Sequence, residues 1–250
     1  MVNKYQRKIP TLKYELRSFI CLYPEFFYPI INLKSSKKQA VNKDTEIVIE
    51  GFPRSGNSFS VGAFESAQKR DVKIAHHLHA PAQIVSAARK NIPGIVLIRH
   101  PVDAVISMKA LDLESSHIRP PKNQNIASLI KSYIQFYQRL IPYQDKYIVS
   151  LFEVTTSDFG SIIKRVNQRF DTEFEIFNHI EANTKKVFDQ RGFHASPNSR
   201  RQEIKKSIRE ELQSDVMQKL STKAETVYRE FTLIAQRQEN HFDCQQSPNN

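Results

Sequence analysis

With 250 residues, 40% of them hydrophobic, the chain can bury one substantial core, and its length suits one large α/β domain better than two independent ones. Lys and Arg number 37 against 26 Asp and Glu; the formal charge of +11 favours an anionic partner such as nucleic acid, an acidic surface, a polyanionic cofactor or a sulfated glycan, although a solvated basic surface has the same composition. Cys21 and Cys244 lie near opposite ends, which excludes a disulfide framework and a cysteine cluster for structural zinc and suits a reducing cytoplasm.

Residues 1–44 read as a basic and aromatic arm followed by a linker. Their most apolar stretch, FICLYPEFFYPII (19–31), is interrupted by Pro24, Glu25 and Pro29 and falls short of the ~20 apolar residues that span a bilayer. No unbroken apolar core precedes a small-residue cleavage site, so a cleaved signal peptide is not expected and the chain reads as soluble and cytoplasmic. The arm is expected to pack on its own domain. With Lys4, Arg7, Lys8, Lys13 and Arg17 beside the aromatics, peripheral contact with an anionic membrane is the alternative. KSSKKQAVNKD (34–44) is polar and turn-rich and leads into a domain predicted to span 45–240.

Within that domain short β-branched runs alternate with longer amphipathic stretches. EIVIE (46–50), DVKIAHH (71–77), GIVLIRH (94–100) and KYIVSLFE (146–153) predict strands buried on both faces, with helices at 57–69, 80–91, 101–111 and 124–141. The order βαβαβααβ predicts a three-layer α/β/α, P-loop-like fold with a central parallel sheet and right-handed crossovers. Beyond residue 156 the pattern is almost wholly helical, with segments 157–170, 179–189 and 201–212 and a last helix to about 238; the polar tail 241–250 is expected to be disordered. Sheets of this kind bind ligands beyond the carboxyl ends of their strands.

The loop after the first strand, EGFPRSGNSF (50–59), matches the Walker pattern at Gly51, Gly56 and Ser58 but carries Asn57 where the phosphate-binding lysine belongs. Gly51 and Gly56 allow a sharp turn, the amides opening the next helix point toward an anion, and Asn57 and Ser58 can add side-chain donors. A capped turn without a ligand has the same glycines, but Arg54 inside so tight a loop argues for an anion. A nucleotide hydrolase also needs a metal-binding Asp after another apolar strand, where this chain has Arg99 and His100. The residues therefore predict a metal-free anion site. IVLIRHPVDAVISM (95–108) adds Pro101 at a helix start and Ser107 two turns on, so Arg99 and Ser107 form a candidate phosphate clamp.

These two segments resemble the sulfotransferases that use 3′-phosphoadenosine-5′-phosphosulfate (PAPS). GFPRSGNSF is similar to their phosphosulfate loop, P-[KR]-S-G-[TS]-[TS]-[WF], and LIRHPVDAVIS to their 3′-phosphate motif, R-x-P-x-D-x-x-x-S; the resemblance covers about residues 46–112. It implies that Arg54 contacts the bridging and sulfuryl oxygens, that Ser55, Gly56, Asn57 and Ser58 complete the cradle, and that Phe59 packs near the adenine. It implies also that Arg99 and Ser107 grip the 3′-phosphate. Asn57 departs from a hydroxyl residue, and Arg54 stands where the best-known cytosolic members have lysine; an arginine suits electrostatic stabilisation rather than proton donation.

The implied reaction moves a sulfuryl group to a hydroxyl or amine of a carbohydrate, lipid or small metabolite by in-line displacement, without a nucleic acid partner. KIAHHLHAP (73–81) offers His76, His77 and His79 as candidate bases, and AHHL aligns His77 with the family's catalytic histidine, although Ala75 replaces its lysine. Alternation along a strand predicts that His76 and His77 point to opposite sides. HASPNSRRQEIKKSIREEL (194–212) resembles a segment that folds over the cofactor and brings Arg200 or Arg201 to the 3′-phosphate. A P-loop nucleotide kinase or NTPase is the competing enzyme reading, and a basic nucleic-acid or membrane-surface module the competing non-enzyme reading.

Overall fold

The structure, a computed structural model, describes residues 8–114, 124–191, 205–206, 208–210 and 212–246. Strands β1 (Ile47–Gly51), β2 (Ile74–His76), β3 (Gly94–Ile98) and β4 (Ile148–Leu151) form one all-parallel sheet in the order β2-β1-β3-β4. In chain order the helices are α1 (Lys8–Ile20), α2 (Pro24–Ile31), α3 (Asn57–Ala67), α4 (Pro81–Arg89), α5 (Pro101–Glu114), α6 (Ile126–Gln138), α7 (Phe152–Ser157), α8 (Phe159–Phe170), α9 (Glu181–Arg191) and α10 (Asp215–Gln246).

Side chains leave a strand alternately on its two faces, and here each set meets its own core. Val48, Val96, Ile98 and Val149 pack against α4, α5, α6 and α10, while Ile47, Ile49, Ile95, Leu97 and Ile148 pack against α3 and α8. This is the three-layer α/β/α arrangement with a central parallel sheet that the alternating runs predict. The chain runs from β1 outward to β2 and then back across to β3, on the other side of β1. The carboxyl ends of β1 and β3 therefore flank the reversal point at which such sheets bind ligands. Gly51 closes β1 against β3: an added Cβ would lie 2.3 Å from the Leu97 carbonyl oxygen.

Four segments differ from expectation. The arm is helical from Lys8, because Cys21, Phe27 and Ile31 find a buried partner surface in Leu78, Ala80 and Ala82, with Pro24 favourably placed at the first turn of α2. The predicted second strand keeps only Ile74–His76, the residues that reach β1. Phe152 and Glu153, read as the end of a strand, open α7, where the Thr155 hydroxyl donates to the Leu151 carbonyl at 2.9 Å. The last helix runs through Gln246, past 238 and into the segment read as disordered, with Phe242 buried in the α3–α8 core as its anchor.

Candidate functional site

Residues 52–56 turn sharply from β1 into α3, with Arg54 at φ +71° and Gly56 at φ +96°. A left-handed conformation costs a non-glycine residue roughly 1–2 kcal/mol, so Arg54 is held in place by its surroundings. Gly56 precedes α3 and supplies no side-chain cap, which leaves the helix start as a set of outward N–H donors with the positive end of the helix dipole behind them. Asn57 is turned inward. Its Nδ2 donates to the Phe52 carbonyl at 3.1 Å, and its buried Oδ1 has no hydrogen-bond partner among the described residues. That orientation braces the loop and directs an acceptor, not the expected donor, away from Phe52. Ser55 is also buried, with its hydroxyl 3.4 Å from that of Tyr137, and it does not line the cavity described below.

The two arginines meet at this turn. Arg54 Nε donates to Ser107 Oγ at 3.1 Å, and Arg99 Nη1 donates to the Arg54 carbonyl at 3.3 Å. Ser107 thus pairs with Arg54 and not with Arg99, its expected partner from the eight-residue spacing. The positive φ of Arg54 swings its side chain toward α5, while Arg99 lies 4.1 Å over the ring of Phe152 at the start of α7. Burial lowers the pKa of Arg99 from the ordinary guanidinium value, against the fields of Asp103 and Glu153. It remains a cation, because a guanidinium does not lose its proton in proteins.

Tyrosines from α6 fix both strand ends. Tyr137 donates to the Leu97 carbonyl at 2.7 Å and accepts from the Phe52 N–H at 3.2 Å, so one phenol ties the end of β3 to the loop after β1. One helical turn earlier, Tyr133 donates to the Arg99 carbonyl at 2.8 Å. Burial raises both phenol pKa values, which keeps them as neutral donors. Tyr133, Tyr137 and Phe152 escape a motif search because they lie 34 to 85 residues from the groups they hold. The spacing of Tyr133 and Tyr137 on one face of an apolar helix was their only sequence signal.

Beyond β2 the backbone is strained twice, with His77 at φ +59° and His79 at φ +51°. Left-handed His77 ends the strand alternation, so its ring swings to the side of His76, and their Nδ1 atoms lie 2.6 Å apart instead of facing opposite ways. His77 Nε2 is 3.2 Å from Ser58 Oγ in the first turn of α3. His79 Nδ1 is 2.9 Å from the Gly51 carbonyl, a contact that requires the proton on that nitrogen. Buried Glu50 holds the turn by accepting from the N–H groups of Leu78 and His79 at 2.8 and 3.1 Å and from Gln83 Nε2 at 3.1 Å. Burial raises the Glu50 pKa to about 7, with those hydrogen bonds opposing the rise.

All of these elements border one cavity of about 700 Å³, within the size range of small-ligand and cofactor sites. Arg54, Gly56, Asn57, Ser58, Phe59, His77, His79, Arg99 and Ser107 line it. Phe59 forms an aromatic wall with Phe177, His179 and Phe188. Helix α1 closes another side with Tyr14, Arg17 and Ser18, followed by Cys21 just past its end, a contribution the sequence did not signal. Arg200 and Arg201 lie outside the described residues, and Lys205 reaches the cavity from the same stretch of chain.

No protein-family model and no curated protein matches this chain. Among solved structures, mouse sulfotransferase SULT7A1 complexed with PAP is similar at 12% identity over 65% of this chain and 72% of that one, with a TM-score of 0.38. So slight a likeness carries no functional argument; the chemistry rests on the cavity's own residues.

Proposed function

We propose that this protein transfers a sulfuryl group from PAPS to a hydroxyl or amine acceptor, with adenosine 3′,5′-bisphosphate as the second product. The observation that carries this reading is the convergence of Arg54, Arg99 and the start of α3 on one cavity at the adjacent ends of β1 and β3. Two guanidinium groups and a set of helix N–H donors suit a ligand with two separate anionic groups better than a single phosphate. The residues present fit that donor. The α3 start would take the 5′-phosphosulfate, Arg99 and the Arg54–Ser107 pair would take anionic oxygens beside it, and Phe59 would supply an apolar face for the base.

PAPS brings the sulfuryl group and its leaving phosphate. The chain supplies position and charge: Arg54 and the α3 donors offset negative charge that grows on the leaving oxygen, without a proton transfer from arginine. His77 is the proposed proton acceptor. In the tautomer that donates from Nδ1 to His76, Nε2 beside Ser58 and the cavity is the unprotonated nitrogen, which is the state a general base requires.

The direct test is thermal stability with adenosine 3′,5′-bisphosphate and with AMP, followed by a sulfate-transfer screen over pools of carbohydrate, lipid and small-molecule acceptors. The expected result is a rise in Tm with the bisphosphate that AMP does not match. Equal protection by the two nucleotides removes the case for a 3′-phosphate site.

A further inference from the structure

The outer face of the α1–α2 hairpin is apolar and takes no part in the cavity. Leu12, Leu16 and Phe19 recur at i, i+4 and i+7 and are 67%, 59% and 47% exposed; Phe26, Ile30 and Leu33 repeat the spacing at 53%, 40% and 89%. Stacked Phe19 and Phe26, with ring centroids 6.3 Å apart, join the two stripes into one. Single exposed apolar residues are ordinary on a soluble protein, whereas a continuous stripe marks a contact surface.

The inner faces already account for the packing. Tyr14 and Ser18 lie on the side of α1 opposite the stripe at 3.6 residues per turn, where they line the cavity with Cys21 just past the helix end, and Phe27 and Ile31 of α2 are buried. Ser128 and Ser132 of α6 fasten α1 through hydrogen bonds to Glu15 and Ser18 at 2.6 and 3.0 Å. The domain therefore holds the hairpin by one side and leaves the other to an external partner.

Charge selects that partner. Lys13, Lys34, Lys37 and Lys38 are exposed beside the stripe, whereas Arg17 lines the cavity; Glu25 is paired with Arg89 at 2.5 Å and Glu15 is engaged by Ser128. An apolar strip with a cationic margin matches lipid acyl chains beneath anionic headgroups. A second copy of a chain with formal charge +11 would instead bring like charge to the contact. We propose that the outer face of the α1–α2 hairpin docks this protein on an anionic bilayer. No helix among the described residues is long and apolar enough to cross a membrane, and the contact is interfacial. Docking would set the cavity, walled by the other side of α1, next to the lipid. The assignment is independent of the sulfuryl-transfer reading.

Sedimentation of the full chain with phosphatidylcholine vesicles, with and without phosphatidylserine, tests it. Binding is expected only with phosphatidylserine and should weaken with salt. Lys34→Glu with Lys37→Glu and Lys38→Glu should weaken it on the order of 100-fold, and Leu16→Ser with Phe19→Ser by at least about tenfold. The chain has no tryptophan, so Phe19→Trp gives a second measurement on a folded protein: its emission should shift to the blue with phosphatidylserine vesicles. No vesicle binding by the wild type, binding that both variant sets leave unchanged, or an unshifted emission overturns the proposal. So does a dimer in analytical ultracentrifugation that Phe19→Ser dissociates, which would assign the stripe to a second copy.

Discussion

The two flanks of the cavity are built by opposite means. At the ends of β1 and β3, neutral phenols from the core hold the backbone, and Arg99 rests on a carbonyl and a ring face, neither of which neutralises its charge. Beyond β2 a buried carboxylate holds a turn with two left-handed histidines, and the rings contact one another. The first construction keeps a fixed positive charge at the cavity. The second places the His77 imidazole beside it on a backbone that depends on one titratable anchor. On the proposed reading, binding belongs to the β1–β3 flank and proton transfer to the β2 flank.

Substitutions that separate the flanks test this division. The largest effect is expected for His77→Ala, which should lower turnover by ~10²–10⁴-fold while changing the affinity for adenosine 3′,5′-bisphosphate little, as read by kinetics and calorimetry. A parallel loss of binding would merge the flanks into one binding surface. Arg99→Ala should weaken the bisphosphate by roughly 10–100-fold, the worth of a charged hydrogen bond, and abolish discrimination against AMP. If discrimination persists, another cation reads the 3′-phosphate.

The supports themselves come next. Tyr137→Phe leaves the Leu97 carbonyl and the Phe52 N–H without their buried partner and should cost about 1–3 kcal/mol in denaturant unfolding. An unchanged midpoint would show that the strand ends do not depend on the phenol. Glu50 should have the smallest and most pH-dependent effect. Its folded-state pKa, raised from 4.5 to about 7, lies above that of the unfolded chain, so the folded form holds the proton more tightly. Its contribution is complete below pH 4.5 and is lost as pH rises through about 7. Wild-type stability should therefore fall across that window relative to Glu50→Gln. A constant difference would mean that the three N–H donors keep the carboxylate ionised in the fold.

Much of this architecture was legible in one dimension. Glycines at 51 and 56, arginines at 54 and 99 and apolar runs before each place the cationic loops at strand ends, because periodicity and turn chemistry act over a few residues. The partners of those arginines were not legible. Ser107 lies 53 residues from Arg54, and spacing along the chain assigned it to Arg99; the left-handed backbone at Arg54 reversed the pairing. The same kind of local inversion at His77 defeated strand alternation.

By itself the sequence determined the α/β class, the parallel strands and the cationic loops, since burial on both faces and glycine-dependent turns leave a direct trace in residue order. Only the tertiary structure decided which hydroxyl meets which guanidinium, that α1 walls the cavity, and that Tyr137 and Glu50 brace its two flanks. Those contacts join residues distant in the chain, and their geometry follows from side chains packing in three dimensions rather than from any repeat along one.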